Sequence, residues 1–264
     1  MNILVVGRGR VGRGLATALR TSTLPVRLTS GRRPRGLGAA DAVILAVPDG
    51  AIASVAESVA PQTRDGCVIL HCAGSLGPEA LGGVDRPSGA MHPLVSFADP
   101  RRPPALAGAT FAIDGSPEAR RAARRIARAC GARPLELPGL HGGAYHAAAA
   151  LVANGAAALA TVGVEVLVGR GLKRRDAERA LGALLRTVAE NVERVGVPAA
   201  LSGPVMRGDV ATVRRHRGAL IDRDARRAYD AIGPTIVSVA RRLGSAPPTK
   251  LRTLQRLFTQ RSAK

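Results

Sequence analysis

Aromatic side chains are almost missing from this sequence, which has no tryptophan, two tyrosines and three phenylalanines. Ala, Val, Leu and Ile must therefore build the core. Hydrophobic residues make up 46% of the chain, enough for a globular protein and too many for a disordered one. Cysteine is scarce as well. Cys67, Cys72 and Cys130 form no CxxC pair, and an odd, unpatterned set argues against a disulfide scaffold or a zinc site. His141, His146 and His216 lack metal-like spacing, so no metal is expected. No apolar run reaches the roughly 18 residues of a spanning helix without a charge or a polar break. The start, MNILVVGRGR, is too short and wrongly flanked for a secretion signal. A cytoplasmic protein with no membrane contact is expected.

Lysine is the other rarity: Lys173, Lys250 and Lys264 are the only lysines among 39 basic residues. The formal net charge of +20 is carried by arginine. Much of it lies on helix faces, as in EARRAARRIARACG (118–131), where Ala122, Ile126, Ala129 and Cys130 can form the inner stripe. Such a surface bias, with abundant Ala and Gly, argues against a nucleic-acid footprint.

What is present divides into two halves. The first alternates strand and helix signals. Strands are expected at 2–7, 26–30, 42–48, 66–74, 108–114 and 132–137. Helices are expected at 11–20, with Val11, Leu15 and Leu19 inward, and at 50–60, capped by Asp49. A third follows the Ser116-Pro117 start signal. Near-continuous apolar strands separated by helices imply a parallel sheet covered on both faces, the α/β class. Residues 31–41 hold Pro34, Gly36 and Gly38 and leave no room for a helix. From Ala144 onward only helical runs are read: 145–171, 174–196, 209–221 and 223–244, the last kinked or broken at Gly233-Pro234. The final sixteen residues read as a terminal helix or a frayed basic tail. The expected domains are 1–140, an α/β domain, and 141–264, an all-α domain for substrate and dimerisation. The apolar 145–171 helix is too long for the remaining helices of one chain to cover, so a homodimer through the helical domain is expected.

Gly7-Arg8-Gly9-Arg10-Val11-Gly12 is a GxGxxG match that ends the first strand and opens a helix, the context this fingerprint requires. Gly7 permits the tight turn, Gly9 the approach to a pyrophosphate, and Gly12 the packing of helix on strand. The helix N-terminus then aims N–H groups and its positive end at the phosphates. About twenty residues on, where an NAD site carries Asp or Glu, the chain reads VRLTSGRRPR (26–35). A carboxylate there would repel a 2′-phosphate. Ser30, Arg32 and Arg33 supply donors for it instead, which favours NADP.

Ligands in such sheets bind outside the carboxyl ends of the strands. His71, Gly74 and Ser75 leave the fourth strand there, and His92 follows on a loop before Pro93. His71 is a candidate for substrate binding, His92 for general acid and Ser75 for a supporting role. In GPVMRGD (203–209), Arg207 can clamp a substrate carboxylate or pair with an acid across a dimer interface, and Asp209 can cap a helix.

DAVILAVPDGAI, HCAGS and GAMHPLVSFAD, with AYHAAAALVANGAAAL, SGPVMRGDVATVRRH and AYDAI in the second half, make a set. Together they resemble Rossmann-like proteins whose C-terminal half is the domain of unknown function 2520. Those are relatives of the hydroxyacid dehydrogenase, ketopantoate reductase and pyrroline-carboxylate reductase group. The resemblance covers nearly the whole chain and implies an NADP-type Rossmann domain followed by a helical domain of the 6-phosphogluconate dehydrogenase C-terminal kind. It implies cofactor contacts for Val47 and Pro48. It also places His146 where hydroxyacid dehydrogenases carry a catalytic lysine, Ala150 where they carry asparagine, and Asn154 a turn further on. His146 can donate a proton and Asn154 can orient a carbonyl. The expected function is NADP-dependent hydride transfer to or from a small, anionic carbonyl or imine compound. The missing lysine keeps open a non-catalytic dinucleotide sensor or scaffold, and a deazaflavin coenzyme stands as an alternative to NADP.

Overall fold

A computed structural model of the chain describes residues 1–139 and 142–260, so Leu140, His141 and residues 261–264 lie outside it. The chain forms two compact units, Met1–Leu151 and Val152–Lys264. They part inside the long helix, whereas the sequence reading sets the junction at 140/141.

The first unit is built on β1 (Ile3–Val6), β2 (Val26–Thr29), β3 (Ala42–Leu45), β4 (Val68–His71), β5 (Ser88–Pro93), β6 (Thr110–Gly115) and β7 (Arg133–Glu136). They form one sheet in the order β2-β1-β3-β4-β5-β6-β7. From β2 to β5 all neighbours are parallel. Two features differ from the sequence reading. Ser88–Pro93 is a strand and not a loop, because Ala90 and Met91 are buried between β4 and β6 although Gly89 and Pro93 obscure the apolar run. The sheet is also not wholly parallel, since β6 lies antiparallel to β5. The 94–109 connection has no helix to make a parallel crossover, and an antiparallel neighbour needs none.

Side chains alternate across each strand, so one face of the sheet packs Ile3, Val5, Ile44 and Leu70 against α1 (Arg10–Arg20) and α3 (Pro117–Ala129). The other face packs Leu4, Val6, Val43 and Ile69 against α2 (Ile52–Val59). Leu15 and Leu19 of α1 are fully buried, as the helical period requires. The α3 stripe is centred on Ala119, Ala123, Ile126 and Ala127, one position off the Ala122 and Ala129 expected. Ser116 caps it, accepting the Ala119 N–H, with Pro117 in the first turn. Residues 31–41 hold only a 3-10 turn, Leu37–Ala39, entered through Gly36 at φ +84°.

The helical region comprises α4 (Gly143–Val168), α5 (Arg174–Val195), α6 (Val210–Ala219), α7 (Arg223–Leu243) and α8 (Pro248–Thr259). Asp209 and Asp222 cap α6 and α7, accepting the N–H groups of Thr212 and Ala225. The core of the second unit joins α6, α7 and α8 through Val213, Val237, Ala240, Leu251, Leu254 and Phe258. Arg217 is nearly buried and binds both carboxylate oxygens of Asp230, at 2.8 and 3.0 Å. Helix α7 runs on through Pro234, so of the kink or break expected there the break does not occur. Gly233 lies directly under the Phe258 ring of α8, and that packing offsets the hydrogen bond Pro234 removes. Helix α4 has one fully buried residue, Val164. By length and composition it could cross a membrane, with a mean hydropathy of 1.8 over its most apolar stretch. The polar breaks in that run are Asn154, Thr161 and Glu165, too few to lower its hydropathy further.

Candidate functional site

The loop after β1 explains its own glycines. Gly7 has φ +120°, and a Cβ there would strike the Ala46 carbonyl at the end of β3. A Cβ on Gly12 would strike the Gly7 carbonyl. Those two glycines are required by packing within the fold. Gly9 is different: no heavy atom lies within 4 Å of the position its Cβ would take. Its missing side chain leaves open space, as a backbone that must approach a ligand requires. Gly9 is the N-cap of α1 and offers no side-chain cap, and the first turn has no acidic residue. The N–H groups there suit an anion.

A cleft of about 750 Å³ opens from this loop. Gly7, Arg8, Gly9, Ser30, Arg32, Val47 and Pro48 are among the residues that line it. None of its described lining residues is acidic. Ser30 Oγ accepts the Arg32 N–H at 3.3 Å, which tightens the turn after β2. Arg10, Val11, Gly12 and Arg33 do not line the cleft, and Arg33 is exposed. Pro34, Ser54 and Ser58 line it although the sequence reading missed them. Ser54 and Ser58 sit one turn apart on α2, a spacing that becomes a signal only once α2 is known to border the loop. The residues fit a dinucleotide: an uncapped helix end for a pyrophosphate, and a serine and an arginine where a ribose is read.

The carboxyl ends of β4 and β5 hold a second group of residues. His71 is fully buried, with Nε2 2.9 Å from the Gly77 carbonyl oxygen and Nδ1 accepting the Ala73 N–H at 3.2 Å. Both nitrogens serve the 73–77 turn, so His71 holds that turn and does not face a substrate. Ser75 donates to Asp49 Oδ2 at 2.5 Å. Asp49 therefore does not cap α2, whose N-terminus has no side-chain cap.

His92 stands at the end of β5, half-buried, with Nδ1 2.9 Å from the Tyr145 hydroxyl. His146, exposed on the first turn of α4, lies edge-on to it with ring centroids 6.0 Å apart. A Cβ on Gly74 would lie 2.8 Å from both His92 Nε2 and His146 Nδ1. The fold thus brings together the two histidines singled out from sequence and adds Tyr145 and Gly74, which were missed as site residues. Tyr145 had one available signal, as one of two tyrosines in the chain and the neighbour of His146. Burial pushes its hydroxyl up to about 12. Asn154 and Arg207 belong to the second unit and are exposed, while Asp209 serves as a helix cap. No group of three or more metal-binding side chains occurs among the described residues.

Residues 109–236 match a domain of unknown function (DUF2520). No curated protein matches the chain. Among solved structures it is similar to a protein from Thermotoga maritima, at 23% identity and TM-score 0.69, covering 92% of this chain and 99% of that one. A candidate NADP oxidoreductase from Bacteroides fragilis is similar at 20% identity and TM-score 0.69, covering 89% and 97%. The pyrroline carboxylate reductase of Plasmodium falciparum, solved with NADP bound, is similar at 13% identity and TM-score 0.59, covering 98% of each chain. Residues 109–236 are thus similar to DUF2520, and the chain as a whole shares the Rossmann-like fold of these solved structures.

Proposed function

We propose that the protein is an NADP-dependent oxidoreductase that transfers hydride to or from a small, anionic carbonyl or imine compound. The observation that carries this reading is the cleft at the carboxyl edge of the sheet. It joins the open Gly9 backbone to Ser30 and Arg32 with no acid among its described lining residues. An adenine-ribose 2′-phosphate suits that lining better than a bare ribose, which calls for a carboxylate. In this reading Gly9 and the first turn of α1 hold the pyrophosphate, Arg32 and Ser30 hold the 2′-phosphate, and Val47 and Pro48 pack along the dinucleotide. When bound, the nicotinamide supplies or accepts the hydride.

The chain itself must then supply a proton to the reduced oxygen or nitrogen. His92 and His146 converge over Gly74 at the same sheet edge and are the candidates for it. The apolar exposed residues of α5, among them Leu184 and Val188, support a homodimer built on the helical unit. The test is titration with NADPH and NADH, followed by turnover against a panel of small keto and imino acids. Tight NADPH binding with turnover supports the reading. Failure to bind either cofactor overturns it, and binding without turnover of any panel member favours a dinucleotide sensor.

A further inference from the structure

We infer that Tyr145 is a positioning residue that fixes His92 as the proton donor of this site, and that Gly74 is the position that makes room for it. The role in turnover rests on the oxidoreductase reading above; the state of the imidazole does not.

Three rings meet at the ends of β4 and β5. The Tyr145 hydroxyl is 2.9 Å from His92 Nδ1, and the two rings stand edge to face with centroids 5.7 Å apart. Burial holds the hydroxyl protonated at neutral pH. A neutral imidazole whose Nδ1 accepts that O–H carries its single proton on Nε2. Nε2 is the nitrogen turned toward Gly74 and His146. With the Tyr145 hydroxyl as donor, the hydrogen bond sets both the ring's orientation and the atom that bears the proton. His146 sits on an exposed helix turn, and among the described residues no hydrogen bond holds its ring.

Gly74 completes the argument. It is buried at the end of β4, and its backbone is not among those with positive φ, so its conformation does not demand glycine. Space demands it. An added Cβ would lie 2.7 Å from His92 Cε1 and 2.8 Å from both His92 Nε2 and His146 Nδ1, closer than real Cβ contacts come. Alanine there must push both imidazoles away from the strand end.

In the reductive direction the step balances as follows. Hydride forms a C–H bond at the carbonyl or imine carbon, whose π pair moves to oxygen or nitrogen. That atom takes the proton from His92 Nε2, and Nδ1 takes the proton of the Tyr145 hydroxyl. The resulting tyrosinate, a far weaker base than the alkoxide or amide ion it has quenched, regains a proton from water.

The experiment is nitrogen-15 NMR of the histidine side chains in the full chain, comparing wild type with Tyr145→Phe and Gly74→Ala and using His92→Gln for assignment. In the wild type at neutral pH, His92 is expected to show one tautomer, with Nε2 protonated and Nδ1 an unprotonated acceptor. In Tyr145→Phe the two nitrogens are expected to shift toward the averaged pattern of a solvated imidazole, and in Gly74→Ala likewise. His71, locked by the Ala73 N–H and the Gly77 carbonyl, is the internal control and should not move. An averaged or Nδ1-protonated His92 in the wild type overturns the proposal, as does a Tyr145→Phe spectrum identical to wild type. With any substrate the panel reveals, Tyr145→Phe should lower kcat about 2- to 10-fold, the worth of one hydrogen bond, with the KM for NADPH unchanged. An unchanged kcat overturns the relay. The NMR arm needs neither cofactor nor substrate, so its failure and failure of the oxidoreductase reading are told apart.

Discussion

Replacing Arg32 with alanine should weaken NADPH binding and leave NADH almost untouched. Arg32 lines the cleft beside Ser30, whereas Arg33 is exposed outside its lining. A hydrogen bond to a charged group is worth about 1.5–3 kcal/mol. Arg32 is itself exposed and its field is screened by salt, which lowers the expectation to about 1–2 kcal/mol. At about 1.4 kcal/mol per factor of ten, Kd for NADPH should rise roughly 5- to 30-fold. Arg33→Ala should change it by no more than about twofold, as for a surface charge contributing under 0.5 kcal/mol. Arg32→Asp should go further and reverse the preference, because a carboxylate repels the 2′-phosphate and binds the ribose hydroxyls of NADH. The assay is the enhancement of reduced-nicotinamide fluorescence on binding. The chain has no tryptophan, so no indole emission overlaps the signal. Equal losses for NADPH and NADH in Arg32→Ala would refute the assignment, and so would a larger loss in Arg33→Ala than in Arg32→Ala.

Other perturbations separate fold from function. Gly9→Ala should keep the wild-type melting temperature yet lose the thermal shift given by NADPH, since its Cβ meets no protein atom. Gly12→Ala should lower the melting temperature, since its Cβ meets the Gly7 carbonyl. Burial pushes Cys72 up to about 12, Cys130 to about 11 and Tyr145 to about 12, against ordinary values of 9.0 for the thiols and 10.0 for the phenol. The unfolded chain therefore loses these protons first and binds fewer than the fold. Stability should fall as pH rises from about 9 toward 12, which urea unfolding at stepped pH will measure. A flat profile would contradict the burial of these groups. Asp230→Ala strands the nearly buried Arg217 charge and should cost about 3 kcal/mol in denaturant unfolding, whereas a loss under 1 kcal/mol would mean Arg217 finds water. Light scattering should give twice the 27.2 kDa chain mass, and Leu184→Glu with Val188→Glu on α5 should halve it. A wild-type monomer at micromolar concentration counts against the dimer, and partition into membranes would assign α4 a different cover.

How much of this was legible in the sequence depends on where each signal is stored. The strand and helix alternation was local: apolar runs such as ILVV and AVIL hold β1 and β3, and Ser116-Pro117 starts α3 in the arrangement that backbone geometry favours. The glycine loop was legible because its meaning lies in a strand, three spaced glycines and a helix, all within a dozen residues. Strand β5 was not, since Ser88, Gly89, His92 and Pro93 carry little β preference and the strand exists because β4 and β6 flank it. At Pro234 local chemistry favours a kink or a break, and packing of Gly233 against Phe258 on α8 keeps the helix continuous.

The candidate site divides along the same line. His71 and His92 look alike as text, each a histidine read near the carboxyl edge of the sheet, one at a strand end and one on a loop. What separates them is the partner of each nitrogen. Main-chain groups of the adjacent turn occupy both nitrogens of His71, so that ring serves the fold. One nitrogen of His92 is held by a tyrosine 53 positions away, and the other is turned toward a glycine whose only explanation is the room it leaves. Neither fact is local. A contact spanning 53 residues requires the β5 pairing that sequence concealed, and an absent side chain carries meaning only once its neighbours are known. Tyr145 and Gly74 were therefore bound to be the least legible members of this group, although His92 and His146 stood out as histidines.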